Sequence, residues 1–281
     1  MAYRRPAEEI ATFWRDPALH NLELLHAHYV THSFAPHSHE GFAIGVIERG
    51  AERFAYRRAN HIAPAGSVVV INPGEMHTGS ALLPDGWSYR MLYPDAHVLQ
   101  AVASEMSGRP RDIPFFAEPV LDDPDLASAI LHAHALLETP STPLERESRL
   151  LPVLARLIER HADAQPLRPQ WQRVQPSTAV WRVRDYLAEH YAEAVTLDEL
   201  ASLARLSPFH LLRAFSAAFG MPPHAYLTQV RVGRSKALLA TGLPIAQVAA
   251  LTGFVDQSHL SRHFKRIVGV APGQYARGAF R

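Results

Sequence analysis

The chain is 281 residues long, 47% hydrophobic and 20% charged, with a formal net charge of +1; it can bury a substantial core and is long enough for about two domains. It contains no cysteine, which excludes disulfides and thiolate-bound metal and gives no sign of an oxidising compartment. The start, Met1-Ala2-Tyr3-Arg4-Arg5, lacks the apolar core of a signal peptide, and no stretch approaches the roughly 20 apolar residues of a membrane span, so a cytoplasmic protein with no membrane partner is expected. Charge is unevenly spread. Residues 178–281 hold twelve Lys/Arg and six Asp/Glu, a net of +6, while residues 1–177 carry −5. A basic end attracts polyphosphate and an acidic end does not sit on it, although a +6 surface by itself is more often merely solvated.

In chain order, residues from about 22 to 95 show short β-type runs: Gly41 to Ile47, Arg53 to Arg57, Val68 to Ile71 and Trp87 to Tyr93. They are broken at Gly50, Pro64-Ala65-Gly66, Asn72-Pro73-Gly74 and Pro84-Asp85-Gly86. Such spacing predicts a sandwich or barrel. From about 95 to 163 the period turns helical, with Leu126, Ile130, Ala133 and Leu137 at helical spacing, as are Leu150, Leu154, Leu157 and Ile158. Residues 164–177 hold three prolines and no amphipathic stripe and read as a linker. Beyond it everything is helical. Val180 to His190 predicts a lead helix, and Thr196-Leu197-Asp198-Glu199 is a capping box that opens the next. Ser207-Pro208 sets a cap residue before proline at the first helical position, and Gly220 stops that helix. A long helix from roughly His224 to Thr241 follows. Then come Ile245 to Thr252, a turn at Gly253-Phe254, and a helix from Gln257 to Val268, capped by Asp256 and stopped by Gly269.

The C-terminal part repeats itself. Ala201 matches Ala249 at an offset of 48, while Leu211, Phe215, Gly220, Pro223 and Tyr226 match Leu260, Phe264, Gly269, Pro272 and Tyr275 at an offset of 49. One residue gained in a turn, with both helical patterns kept, is what two copies of a helix-turn-helix show. The second helix of such a motif enters the major groove while the first crosses the backbone. Leu211 and Phe215 at i, i+4 must face a core, leaving Phe209, His210, Leu212 and Arg213 near the groove. Leu260 and Phe264 do the same in the second copy, leaving Gln257, Ser258, Ser261 and Arg262. Arginine reads guanine and glutamine reads adenine bidentately, although an outward arginine is often a phosphate contact or an ion-pair partner. Leu212 suits a thymine methyl or packing against the linking helix. Lys265, Arg266, Arg234 and Lys236 read as phosphate contacts or solvated surface.

The segment Ile245 to Tyr275, with its spaced Ala249, Gly253-Phe254, Phe264-Lys265, Gly269, Pro272 and Tyr275, resembles the DNA-binding domain of the AraC/XylS family of transcription regulators. That resemblance implies double-stranded DNA as partner, and the groove-facing positions named above match the family's base-reading positions. The β-rich region resembles the cupin-type ligand-binding domain of the same family at Pro36-His37-Ser38-His39, Gly50, Pro64-Ala65-Gly66 and Ile71-Asn72-Pro73-Gly74-Glu75-Met76-His77. On an extended strand His37 and His39 leave the same face, and His77 can converge from a neighbour. Three neutral imidazoles suit zinc, iron or nickel. Metal-binding cupins, however, usually add a glutamate four or five residues past the second histidine, where this chain has Ala43 and Ile44, with Glu40 and Glu48 out of register. A metal, hydrogen bonds to an organic effector, and purely structural histidines all stay open, and no cofactor is expected. Trp87 and Tyr89 are further candidates for lining a ligand pocket. Strand alternation puts Trp87, Tyr89, Met91 and Tyr93 on one side and Arg90 on the other, and a core role for the aromatics is the alternative. The stripe Leu150, Leu151, Leu154, Leu157, Ile158 either pairs two subunits or packs on its own barrel.

The expected fold class is α+β: an N-terminal cupin-like β-barrel with trailing helices over 1–163, the linker 164–177, and an all-α tandem helix-turn-helix domain over 178–281, with motifs at about 197–219 and 245–268. The expected function is a DNA-binding regulator, not an enzyme, whose barrel senses a small-molecule effector and whose partners include RNA polymerase and a second copy of itself. Two alternatives stand beside it. One is a metal-dependent cupin enzyme, a dioxygenase or isomerase, fused to a DNA-binding domain; against it stand the missing glutamate and the lack of a nucleophile elbow, a His-Glu-x-x-His or a phosphate-cradling loop. The other is an architectural DNA binder without an effector, which leaves some 160 residues without a task.

Overall fold

A computed structural model describes residues 9–139, 143–163 and 178–279. The expected linker at 164–177 lies outside the described residues. Among the described residues no helix is long and apolar enough to cross a membrane. The chain divides into two compact units, with the break inside 164–177 and the second unit running to Ala276.

Among the described residues the first unit holds nine strands: Ile10–Asp16 (β1), Leu22–Tyr29 (β2), Ser33–His37 (β3), Ala43–Tyr56 (β4), Ala59–Pro64 (β5), Val68–Ile71 (β6), His77–Ala81 (β7), Trp87–Tyr93 (β8) and Val120–Leu121 (β9). All pairings are antiparallel. One sheet runs β1-β2-β8-β4-β6-β9, and β3, β7 and β5 join through the second half of β4. The expected runs 41–47 and 53–57 are thus one strand of fourteen residues. Gly50 bends it without ending it. At φ +72° and with Gly86 O only 2.1 Å from where a Cβ would sit, this position admits only glycine, and the ladder continues on both sides. β1 precedes the expected β region, β9 falls in the stretch expected to be helical, and β2, β3, β5 and β7 lie in the expected β region but outside the four expected runs.

Helices Ala96–Ser107 (α1), Pro124–Leu137 (α2) and Pro143–His161 (α3) share a core with the sheet. Leu24, Ile44, Val46, Val68, Val70 and Leu92 meet Leu99, Leu126, Ile130, Leu154 and Leu157 there, each contributing about 1.5–3 kcal/mol by burial. The 150–158 stripe is spent inside this unit: Leu150, Leu154 and Leu157 are buried, Ile158 packs on the same core, and only Leu151 is exposed, at 40%. The hairpin from β4 to β5 turns through Arg57 and Arg58, both at positive φ, the backbone a two-residue hairpin requires. Glu75 holds it by accepting from Arg57 at 2.7 Å and from the Tyr56 hydroxyl. Asn72 fastens the neighbouring segment, exchanging hydrogen bonds with Phe116 at 2.8 and 3.0 Å.

The second unit is helical: Thr178–Glu189 (α4), Leu197–Ala204 (α5), Pro208–Phe219 (α6), Pro223–Leu239 (α7), Ile245–Leu251 (α8), Gln257–Val268 (α9) and, up to Ala276, the helix Pro272–Ala279 (α10). Both halves of the Thr196/Glu199 capping box form. Ser207 and Asp256 cap α6 and α9, and Gly220 and Gly269 end them in the left-handed conformation. The linking helix α7 is tied to the loop after α4, because Arg231 donates to Tyr191 O at 2.7 Å and Glu193 O at 2.9 Å. It is tied to α8 by Ser235 and Thr252, both wholly buried with their hydroxyls 3.0 Å apart.

Candidate nucleic-acid interface and ligand cavity

The outward residues of α6 and α9 follow from what their inner faces bury. Leu211 and Phe215 on α6, and Leu260 and Phe264 on α9, are fully enclosed. Helical geometry then turns the positions between them to solvent. On α9, Gln257, Ser258, Arg262, Lys265 and Arg266 are exposed and Ser261 is half-exposed. Asp256 accepts from His259 N at 2.7 Å, which fixes the first turn. Among the described residues Arg262, Lys265 and Arg266 have no acidic partner within ion-pair distance. On α6, His210 and Arg213 are exposed and Leu212 is half-buried, yet Leu212 is not one of the side chains packed against that half's apolar cluster. His210 is held to the cap, 2.7 Å from Ser207 Oγ. Phe209 sits in the first turn of α6, and its side chain lies outside the described residues. Arg234 and Lys236 on α7 lie over the rings of Tyr191 and Tyr275, at 5.3 and 5.5 Å from their centroids.

Inside the barrel a cavity of about 40 Å³ is lined by His37, His39, His77, Glu52, Tyr89 and Tyr93, with Phe34, Phe54, Ile71 and Met91 among its apolar walls. That is room for an ion with a few solvent molecules or for a small organic group. Three of the five sequence-nominated residues are the histidines, brought together because His37 on β3 pairs in register with His77 on β7. Tyr89 also lines the cavity. Trp87 does not: its indole is wholly buried between Tyr29 and Tyr89, at ring distances of 5.4 and 5.9 Å, beyond the end of the cavity on the same face of β8. Arg90 points to the opposite face of β8, where it donates to Glu48 at 2.9 Å and to Glu138.

Glu52 is the carboxylate of the cavity lining, and the sequence did not nominate it. β4 shifts register between Ile47 and Arg49, and a bulge of this kind reverses which residues face in. Ala43 lines the cavity before the bulge, and Glu52 and Phe54 line it after. The Glu52 carboxyl lies over Gly79, where a Cβ would meet its Oε1 at 2.5 Å. Burial pushes its pKa up to about 8, so at neutral pH it is largely a neutral acid. Burial likewise pushes the Tyr89 and Tyr93 phenols up, with nearby Glu52 adding to both. His77 is driven below the usual histidine range by burial and by adjacent His37, which keeps it neutral.

One unit carrying two helix-turn-helices and another enclosing a lined cavity define the class: a DNA-binding regulator with a ligand-binding domain. Comparison with known proteins agrees. The AraC-like ligand binding domain family matches residues 19–154, and a helix-turn-helix domain family matches residues 200–278. An uncharacterized HTH-type transcriptional regulator, YbfI of Bacillus subtilis (strain 168), is 32% identical over 252 residues, 90% of each chain. Among solved structures, ToxT from Vibrio cholerae O395 aligns over 96% of both chains with a TM-score of 0.52 at 12% identity. The unsaturated fatty acid bound wild-type ToxT from Vibrio cholerae strain SCE256 aligns over 98% of this chain and 97% of that one, with a TM-score of 0.52 at 14% identity. These last two speak for the fold alone. The chain belongs to the AraC family of transcription regulators.

Proposed function

We propose that this regulator reads an asymmetric, two-part DNA site through Phe209, His210, Leu212 and Arg213 on α6 and Gln257, Ser258, Ser261, Arg262 and Lys265 on α9. A small effector held by His37, His39, His77, Tyr89 and Glu52 alters that reading. The observation that carries the proposal is the pairing of two helices whose apolar pairs are wholly buried while an arginine on each stays exposed. Arg262 has the stronger claim to a base contact, since no acidic side chain among the described residues competes for it. Joined through α7, the two helices would enter consecutive major grooves about 34 Å apart.

Effector binding is proposed to act by a coupling free energy between cavity and DNA, typically about 1–3 kcal/mol. It changes promoter affinity or contact with RNA polymerase. The protein acts in the cytoplasm by binding, without catalysing a reaction, and as a homodimer whose contact uses a face other than the one Leu150, Leu154 and Leu157 bury. The test is selection of bound duplexes from a random pool by the full-length protein, repeated with Arg262→Ala. Two short motifs about one helical turn apart, one of them relaxed in the variant, are expected. Enrichment of a single motif, or of none, sinks the two-part reading.

A further inference from the structure

We propose that His37, His39 and His77 bind one divalent transition-metal ion, with the cavity as the open side of the site. This deepens the reading of the cavity as a ligand site and rests on it. One ring nitrogen from each imidazole lies within 4.8 Å of those of the other two. The ring centroids are 4.2 Å (His37–His77), 4.9 Å (His37–His39) and 5.1 Å (His39–His77) apart.

The tautomers of two rings follow from their backbone partners. His37 Nδ1 is 2.8 Å from Ala35 O and His77 Nδ1 is 3.3 Å from Glu75 O. A carbonyl only accepts, so each Nδ1 carries a proton, and it is Nε2 that supplies the lone pair when the ring ligates a metal. Three rings with centroids 4.2–5.1 Å apart therefore bring their ring nitrogens into one small space, where a single cation can stand among them. Imidazoles oriented through Nδ1–H to a carbonyl are also how metal-ligating histidines are characteristically held. The spacing is prebuilt, because His37 and His77 are direct cross-strand partners in the β3–β7 ladder and do not depend on a loop to meet.

The donor set selects the ion. Three nitrogens, in a chain without cysteine, suit zinc, cobalt, nickel, copper(II) or iron(II), and do not suit calcium or magnesium, which take oxygen. Three protein ligands leave at least one coordination position for a solvent or effector atom, and Tyr93, whose ring is 5.0 Å from that of His39, borders that side. Among the described residues no lysine or arginine lines the cavity. The ion would therefore supply the pocket's positive charge and would favour an effector with an oxygen or nitrogen donor. Glu52 lies outside the three-histidine cluster and is not assigned as a ligand.

Untagged full-length protein, stripped with a chelator and desalted, is titrated with Co²⁺ while its visible absorption is followed, and then with Zn²⁺ in competition. The expected result is saturation at one Co²⁺ per chain, displacement by Zn²⁺, and a rise in melting temperature with the ion. His39→Ala and His77→Gln should weaken Co²⁺ binding by about 10-fold or more, and His97→Gln, at an exposed histidine of α1 outside the cavity, should leave it within about 3-fold. Circular dichroism and retained duplex binding confirm that each variant is folded. The absence of saturable Co²⁺ uptake, or uptake unchanged by both histidine variants, overturns the site. If stripped protein takes up no Co²⁺ yet still melts higher with an organic effector, the metal site fails and the cavity reading survives.

Discussion

At the turn of the first helix-turn-helix Arg205 adopts a left-handed backbone with φ 54°, and at the matching point of the second Gly253 does so with φ 76°. The hydrogen bonds around the two turns correspond: Leu206 N donates to Ala201 O at 3.0 Å and Phe254 N donates to Ala249 O at 2.9 Å. What differs is the neighbour. A Cβ on Gly253 would lie 2.7 Å from Ala192 O and 2.9 Å from Ala192 Cα, because the loop after α4 packs directly on the second turn. Arg205 is exposed and bears only the cost of a left-handed side chain, about 1–2 kcal/mol. The same backbone is thus a preference for glycine in one copy and a steric requirement in the other. The outer faces diverge as well, since α9 exposes Arg262, Lys265 and Arg266 where α6 offers Arg213 beside half-buried Leu212.

The largest effect should come from Gly253→Ala, which is expected to lower stability by about 2–4 kcal/mol in denaturant unfolding, through combined backbone strain and overpacking. A loss below about 1 kcal/mol would show that the Ala192 loop yields and that the two turns are alike after all. Next, Arg262→Ala should cost about 1–3 kcal/mol of discrimination at its half-site, and Arg213→Ala less, measured by competition between matched and mismatched duplexes. Equal losses would erase the contrast between the recognition faces. Lys265→Ala should weaken all sequences alike and reduce the log–log salt slope by about 1. The smallest change is Arg205→Gly, expected to raise the unfolding free energy by about 0.5–1 kcal/mol by relieving the left-handed residue; a loss in its place would mean that the arginine side chain contributes a contact of its own.

The helical unit was legible because its ends are written in short-range chemistry. Asp256 and Gly269 bound α9 at Gln257 and Val268 as expected, and Ser207-Pro208 and Gly220 bound α6. The barrel was less so. Gly50 reads as a break when it is a bend, since the strand is held before it by β8, far away in sequence, and carried on after it by the adjacent hairpin strand β5. The histidines could be gathered only in part: His37 and His77 meet as partners on adjacent strands, but β3 ends at His37, so His39 reaches the cluster from the segment after the strand and not by strand alternation. Glu52 could not, because counting in twos from Ala43 turns it outward, and the register shift between Ile47 and Arg49 leaves no local signature. Trp87 shows the converse: strand alternation gives its face of β8, but its depth along the barrel axis depends on where the neighbouring aromatic rings fill the space.

The contact between Ser235 and Thr252 joins the linking helix to the second helix-turn-helix through two hydroxyls and no ion. Salt loosens the grip of arginine and lysine on phosphate, but it has little purchase on an uncharged pair sealed from solvent. The joint therefore serves as a ruler. From dilute to concentrated salt the protein should release DNA more readily while asking for the same number of base pairs between its two half-sites.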